Sequence, residues 1–173
     1  MLKCDNPFWK FSLAIYETPG VASECLALQS ALNVDLNSLL FCAWLGCAKK
    51  IILSEKALAA IDARVRHWRE AVVQPLRAVR QQVKSMPEME HDAVKDLRKE
   101  IVSIELQAEK IEQAILFESA RDLSDGCTTG TIDDAVRGNV TALLQRKRLG
   151  LAPPVADIPA AELLIAAAVT YRA

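Results

Sequence analysis

Two histidines and five cysteines are the residues of this chain whose types are best suited to metal binding or nucleophilic catalysis. His67 stands among arginines in RVRHWRE, where a metal cation would be repelled, and His91 stands in the acidic segment PEMEHD, which is typical of an exposed helix start. The cysteines form no CxxC pair, and their spacing gives no zinc framework. The sequence therefore predicts no catalytic residue, no metal site and no cofactor.

A cluster of aromatic and amide residues is the first candidate binding site. Aromatic-lined cavities are common sites for small molecules, and an amide buried in such a cavity can orient a ligand. The residues predicted for this ligand-binding site are Trp9, Tyr16, Gln29, Asn37, Phe41 and Trp44. The same residues could instead fill a helical core, and the sequence leaves these two alternatives open.

A stripe of basic residues is the second candidate. At about 100° per residue, Arg77, Arg80 and Lys84 fall on one face of a predicted helix. The helical pairing predicted below leaves them without acidic neighbours, and clustered like charges repel one another. The stripe therefore predicts a docking site for an acidic protein surface, with weak RNA binding as an alternative.

Cap residues and prolines indicate where the helices that carry these residues begin. Asn, Thr, Asp or Ser before an apolar periodic run, often with proline at the next position, is typical of a helix start. No alternating apolar pattern indicates a strand. The predicted helix starts are Asn6-Pro7, Thr18-Pro19, Asp35, Ser54, Thr131 and Pro159.

The predicted fold is all-α and consists of a single domain over 1–173. An apolar helical core occupies 1–53, because its helices are apolar nearly all round. A long antiparallel helical hairpin occupies 54–122, and two C-terminal helices occupy 131–173.

The hairpin is predicted from apolar residues that alternate three and four positions apart, which is the coiled-coil pattern. Its first arm has one extra residue at Val72, close to Pro75, which predicts a kink or break just before the proline. Folding the arms back near Pro87 would place Arg69 opposite Glu105, Arg66 near Glu109, and Arg77 against Arg98.

The composition excludes several classes of protein. The formal net charge of −1 gives no bulk attraction to nucleic acid or anionic lipid. The most apolar run, Leu39 to Ala48, is shorter than the roughly 20 residues that span a bilayer. The first residues, MLKCDNPFWKF, lack the pattern of a signal peptide. A cytoplasmic protein without membrane contact is expected, with its cysteines reduced.

The N-terminal third resembles a family of small uncharacterised bacterial proteins, a domain of unknown function. Three segments carry the resemblance: FWKFSLAIY, PGVASECLALQ and DLNSLLFCAWLG. The resemblance implies an all-helical bacterial protein and transfers no catalytic or binding residue.

These features favour a non-enzymatic adaptor or regulatory protein that presents its charged hairpin to a protein partner. A small-ligand-binding or enzymatic helical domain that uses the aromatic residues is the alternative. A homodimer that buries the apolar stripe of the hairpin is a further expectation, because a short chain leaves much of that stripe uncovered.

Overall fold

The computed structural model describes residues 2–121, 123, 130–151 and 160–172, and the backbone of 126–128. Within this part of the chain the fold is all-α, as predicted, with eight α-helices. Their bounds are α1 Pro7–Tyr16, α2 Val21–Leu32, α3 Leu36–Lys49, α4 Glu55–Trp68, α5 Gln74–Lys84, α6 Asp92–Ser119, α7 Ile132–Leu149 and α8 Glu162–Thr170.

Side-chain caps explain most of the helix starts. The Asn6 side chain accepts a hydrogen bond from the backbone N–H of Trp9 at 2.9 Å, and Asp35, Ser54 and Thr131 cap α3, α4 and α7 in the same way. These four predicted starts are confirmed. The start predicted at Thr18-Pro19 is two residues early, because Gly20 in the left-handed conformation (φ 87°) precedes α2. Pro159 lies outside the described residues.

The core is built around α3, in which every residue from Asn37 to Gly46 is buried. Phe8 of α1 packs edge-on against Phe41 with 5.2 Å between ring centroids, and Trp44 stacks on Phe41 at 5.8 Å. Phe117 of α6 closes this cluster at 5.5 Å from Trp44. Because α3 is apolar on nearly every side, it can bury neighbours all round it.

Helix α7 packs closely on α3 at Gly46. A Cβ at position 46 would lie 2.6 Å from the backbone nitrogen of Val136, so only glycine allows this approach. Asn139 of α7 is completely buried, and its amide group donates to the carbonyl of Ile51 at 2.9 Å and accepts from the N–H of Leu53 at 2.7 Å. One amide thus joins α7 to the segment after α3.

A short antiparallel ribbon is the feature of the fold that the sequence did not predict. Strand β1, Ile51–Leu53, pairs with β2, Gly126–Thr128. Three residues are too few to show an alternating pattern.

The hairpin is present, and its first arm does not break before Pro75. Helix α4 continues through a π-helical turn, Arg69–Val73, into α5. Proline lacks the N–H that an α-helix would need there, and a π-turn absorbs the extra residue that the spacing around Val72 indicated. The predicted kink is therefore a local widening of a continuous helix.

The predicted register of the hairpin is wrong. Glu105 contacts Arg77 and Arg80 of the first arm, and Arg69 instead contacts Asp62 and Asp35. Helical side chains lean toward their own N-terminus. In this hairpin the arginines lean away from the turn and Glu105 leans toward it, so pairs form between residues that are not opposite each other.

The apolar stripe that the three-and-four spacing predicts along α6, which includes Leu97, Ile101, Ile104 and Ala108, is also partly wrong. Leu97 and Ile104 are about half exposed, at 50% and 49%, whereas Glu105 and Glu112 are buried. The buried face of α6 is therefore rotated toward its acidic residues.

Candidate functional site

A buried polar network links α3 to α6. Asn37 donates from Nδ2 to Oε2 of Glu112 at 2.9 Å, and its Oδ1 accepts from Nε2 of Gln113 at 2.9 Å. Glu112 is fully buried, and Asn37 and Gln113 are at least nine-tenths buried. Oε1 of Glu112 and Oε1 of Gln113 have no hydrogen-bond partner among the described residues. Because unpaired buried polar atoms destabilise a fold, this network is a candidate for function.

The charge state of Glu112 follows from its surroundings. Burial and the nearby carboxylate of Asp35 raise its pKa, whereas the hydrogen bond from Asn37 and the charge of Arg69 lower it, and the net result is a pKa of about 8. Glu112 is therefore mostly protonated at neutral pH.

The π-helical turn forms one wall of a polar cleft of about 280 Å³. Arg69, the first residue of the turn, lines this cleft and donates from Nη2 to Asp62 at 3.0 Å. Arg66 and Lys147 approach the same carboxylate. Burial favours the neutral form of Asp62, but these three cations outweigh it and hold its pKa at about 2. Nη1 of Arg69 has no hydrogen-bond partner within the described part of the chain and lies 3.8 Å from Asp35.

The basic stripe predicted for partner binding is largely paired within the hairpin. Arg77 donates to Glu105 at 3.2 Å and to Glu109 at 2.7 Å, and Arg80 also binds Glu105. Lys84 is exposed near the turn. The premise that Arg77 and Arg80 lack acidic neighbours is therefore wrong, because the register that suggested it is shifted.

Three of the six residues predicted for ligand binding lie around one small pocket. Trp9, Tyr16 and Asn37 line a pocket of about 180 Å³ between α1, α3 and α6, here named the Trp9–Tyr16 pocket. Leu106 and Gln113 of α6 complete its rim and floor. Burial raises the pKa of Tyr16 to about 12, so its hydroxyl stays protonated.

The other three residues are placed elsewhere. Phe41 is completely buried in the aromatic core, and Gln29 lines the polar cleft. Trp44, 7% exposed, borders a separate cleft of about 570 Å³ whose wall includes Cys47 and Tyr171. A cavity beside Trp44 thus exists, but it is not continuous with the six-residue site that the sequence suggested.

Sequence reasoning missed Glu112, Gln113 and Asp62. One signal for Glu112 was available: Ile101, Glu105, Ala108 and Glu112 repeat at steps of four, three and four, which defines a helical face. Two acids on that face are the kind of residue usually assigned to solvent.

Other chemistries find little support in the described part of the chain. No group of three or more His, Cys, Asp or Glu residues is placed there to hold a metal. Burial raises the pKa of both Cys25 and Cys42 to about 12, so neither thiol is a ready nucleophile. None of the described helices combines the length and apolarity needed to cross a membrane.

Comparisons with known proteins give one match. No curated protein and no solved structure matches this chain. One protein family does: residues 7–116, which include α1 to α5 and most of α6, match the family described as "Protein of unknown function (DUF2390)". The resemblance inferred from the N-terminal third is confirmed and extends into the hairpin. This chain therefore belongs to the DUF2390 family of proteins of unknown function.

Proposed function

We propose that this chain is a cytoplasmic, non-enzymatic adaptor whose hairpin binds an amphipathic helix of a partner protein. The observation that carries the proposal is an uncovered row of large apolar side chains along one edge of the hairpin. The absence of a recognisable catalytic set among the described residues agrees with a binding role.

The two edges of the hairpin differ in chemistry. On α5, Arg80 lies three residues before the buried Val83 and Val79 lies four before it, so their side chains flank Val83 on its two sides. Met86 lies two residues beyond the end of α5. On α6, Glu105 lies four residues after Ile101, and Leu97 lies four before it. Because Arg80 binds Glu105, one edge of the hairpin carries the ion pairs and the opposite edge is apolar.

This opposite edge, here named the apolar edge, consists of Val79, Met86, Leu97 and Ile104. Their exposed fractions are 46%, 38%, 50% and 49%. Four large apolar residues that are side by side and half exposed are typical of an interaction surface. Two antiparallel helices leave a groove of the width that a third helix fills in a bundle, so an amphipathic helix is the partner that fits.

The charge beside the apolar edge indicates the sign of the partner. Two carboxylates are exposed on α6 next to Leu97 and Ile104: Glu100, and Asp96, which is ion-paired with Lys99 at 2.8 Å. A partner helix with basic residues flanking its apolar stripe would complement them. This differs from the acidic partner predicted from Arg77 and Arg80, whose charges are taken up by glutamates.

A photo-crosslinking experiment in the native cell tests the proposal. A photoreactive residue replacing Leu97 should capture a discrete partner, and the crosslink should map to a helical segment with apolar residues three and four apart. The matched control places the same group at Leu26, which is 56% exposed on α2, and should not capture that partner.

Substitution then tests which edge is used. Leu97→Ser with Ile104→Ser should reduce affinity for the captured helix by at least tenfold, while Leu26→Ser with Leu163→Ser should leave it unchanged. If the Leu97 crosslink joins two copies of this chain, or if the Leu97 and Ile104 changes leave binding intact, the adaptor proposal is wrong.

A further inference from the structure

We infer that the Trp9–Tyr16 pocket binds a small, neutral, mostly apolar molecule that carries one hydrogen-bond donor. The inference is independent of the adaptor proposal, because the pocket lies beside the paired edge of the hairpin, at Leu106 and Glu109. It rests on the chemistry of the walls, on one unpaired atom in the floor, and on the size of the pocket.

The walls of the pocket are mainly apolar. Trp9, Leu13 and Tyr16 come from α1, Leu40 comes from α3, and Leu106 comes from α6. Pockets for small molecules combine such walls with a few polar groups that fix the orientation of the ligand.

Among the buried polar atoms of the described lining residues, one has no hydrogen-bond partner. Ser12 donates to the carbonyl of Phe8 at 3.0 Å, and both ends of the Asn37 amide are hydrogen-bonded. Gln113, which is 4% exposed, donates from Nε2 to Asn37, while its Oε1 has no partner among the residues that the structure describes. This buried oxygen is an acceptor, so the ligand group that pairs with it is a donor such as a hydroxyl or an N–H.

The charges around the pocket favour a neutral ligand. Glu109, the one carboxylate in the wall, is bound by Arg77 at 2.7 Å. Nζ of Lys110 lies 5.0 Å from the centre of the Trp9 ring and would repel a second cation there. An anion would meet Glu109 and an acceptor oxygen, so neither sign of charge is matched.

The volume suits a ligand of one ring. About 180 Å³ corresponds to roughly six water molecules at about 30 Å³ each. A six-membered carbon ring with one hydroxyl is of this size. Cyclohexanol is therefore a suitable probe, and its methyl ether is a matched compound that keeps the oxygen but cannot donate.

Ligand-observed NMR with the full chain tests the inference. Cyclohexanol should bind saturably. The methyl ether should bind about fivefold to tenfold more weakly, since one hydrogen bond contributes about 1 kcal/mol. The absence of saturable cyclohexanol binding, or equal affinity for the two compounds, would overturn the inference.

A pocket-filling variant locates the binding site. Leu106 is half exposed at the rim, so Leu106→Trp can cover the pocket without disturbing the core, and circular dichroism checks that the helices remain. It should weaken cyclohexanol binding at least tenfold. The control Leu26→Trp makes the same change at an exposed site on α2 and should bind as the parent does. Equal binding by Leu106→Trp and the parent would show that the ligand sits elsewhere, contrary to the inference.

Discussion

Arg77 and Glu105 lie 3.2 Å apart, Nε to Oε1, across the two arms of the hairpin, and Arg80 binds the same carboxylate. Glu105 is buried to 6% exposure between the arms. Two guanidinium groups on one side of it offset the cost of removing its charge from water. This cluster fixes the register of the arms and leaves the apolar edge on the opposite side.

A double-mutant cycle tests this register. Arg80→Gln and Glu105→Gln should show a coupling energy of about 1 to 3 kcal/mol in urea unfolding, because they form a largely buried, charge-assisted contact. The matched cycle pairs Arg69→Gln with Glu105→Gln, the contact expected from the sequence, and should give coupling near zero. Strong coupling in the second cycle and none in the first would contradict the structure.

The pH dependence of stability tests the state of Glu112. Its folded pKa of about 8 lies above the usual value of 4.5, so the folded protein holds a proton that the unfolded chain has lost between these values. Its contribution to the free energy of unfolding therefore falls by about 1.4 kcal/mol per pH unit between pH 4.5 and 8.

Glu112→Gln should remove this contribution, because glutamine can still accept from Asn37 and does not titrate. Urea unfolding at pH 5, 6, 7 and 8 should show a shallower pH dependence and a more stable variant at pH 8. Glu100→Gln, an exposed change on the same helix, is the control and should retain the slope of the parent. A variant with the slope of the parent would mean that Glu112 is ionised throughout.

The helices were predictable because their signals are local. Asn6, Asp35, Ser54 and Thr131 each cap the helix that follows, and a cap needs only its neighbours in sequence. The extra residue at Val72 likewise indicated the π-helical turn, although Pro75 suggested a break in the helix.

The polar sites were less predictable because their partners are distant. Asn37 and Glu112 are 75 residues apart, and no sequence spacing shows that they meet. The structure places Trp9, Tyr16 and Asn37 around one pocket, Trp44 at a separate cleft and Phe41 in the core. The sequence could not separate these positions, because an apolar residue of a buried helix has the same pattern whether it faces a pocket or the core. Arg77 was predicted to bind an acidic partner because the predicted register placed it against Arg98, whereas the tilt of helical side chains brings it to Glu105 and Glu109.

Asp62 is expected to be essential to the polar cleft. Its carboxylate forms ion pairs with Arg66 at 2.7 Å and with Arg69 at 3.0 Å. Asp62→Asn would therefore leave the buried Arg69 with only the longer contact to Asp35. The loss in unfolding free energy at pH 7 should be about 3 kcal/mol, as for other buried ion pairs that lose one partner.

The difference between Asp62→Asn and the parent should shrink in acid. The folded pKa of about 2 lies below the usual 3.8, so the stabilisation by ionised Asp62 is present above pH 3.8 and lost as the pH falls toward 2. Asp96→Asn, an exposed change in the hairpin, should have no measurable effect. An Asp62→Asn variant as stable as the parent at pH 7 would show that the cleft does not depend on this carboxylate.

Gly46→Ala tests the close packing of α3 on α7. In an ordinary helix this change stabilises by roughly 0.5 to 1 kcal/mol, because alanine restricts the unfolded chain. Here the new Cβ would lie 2.6 to 2.8 Å from backbone atoms of Ala135 and Val136, which cannot rotate away. The two helices must separate, so we expect a loss of about 2 to 4 kcal/mol in thermal or urea unfolding, as for an overpacked core. The control is Gly130→Ala, since no atom of the described residues lies within 4 Å of the Cβ it would add, and its stability should change little. If Gly46→Ala were as stable as Gly130→Ala, α3 and α7 would not cross at this position.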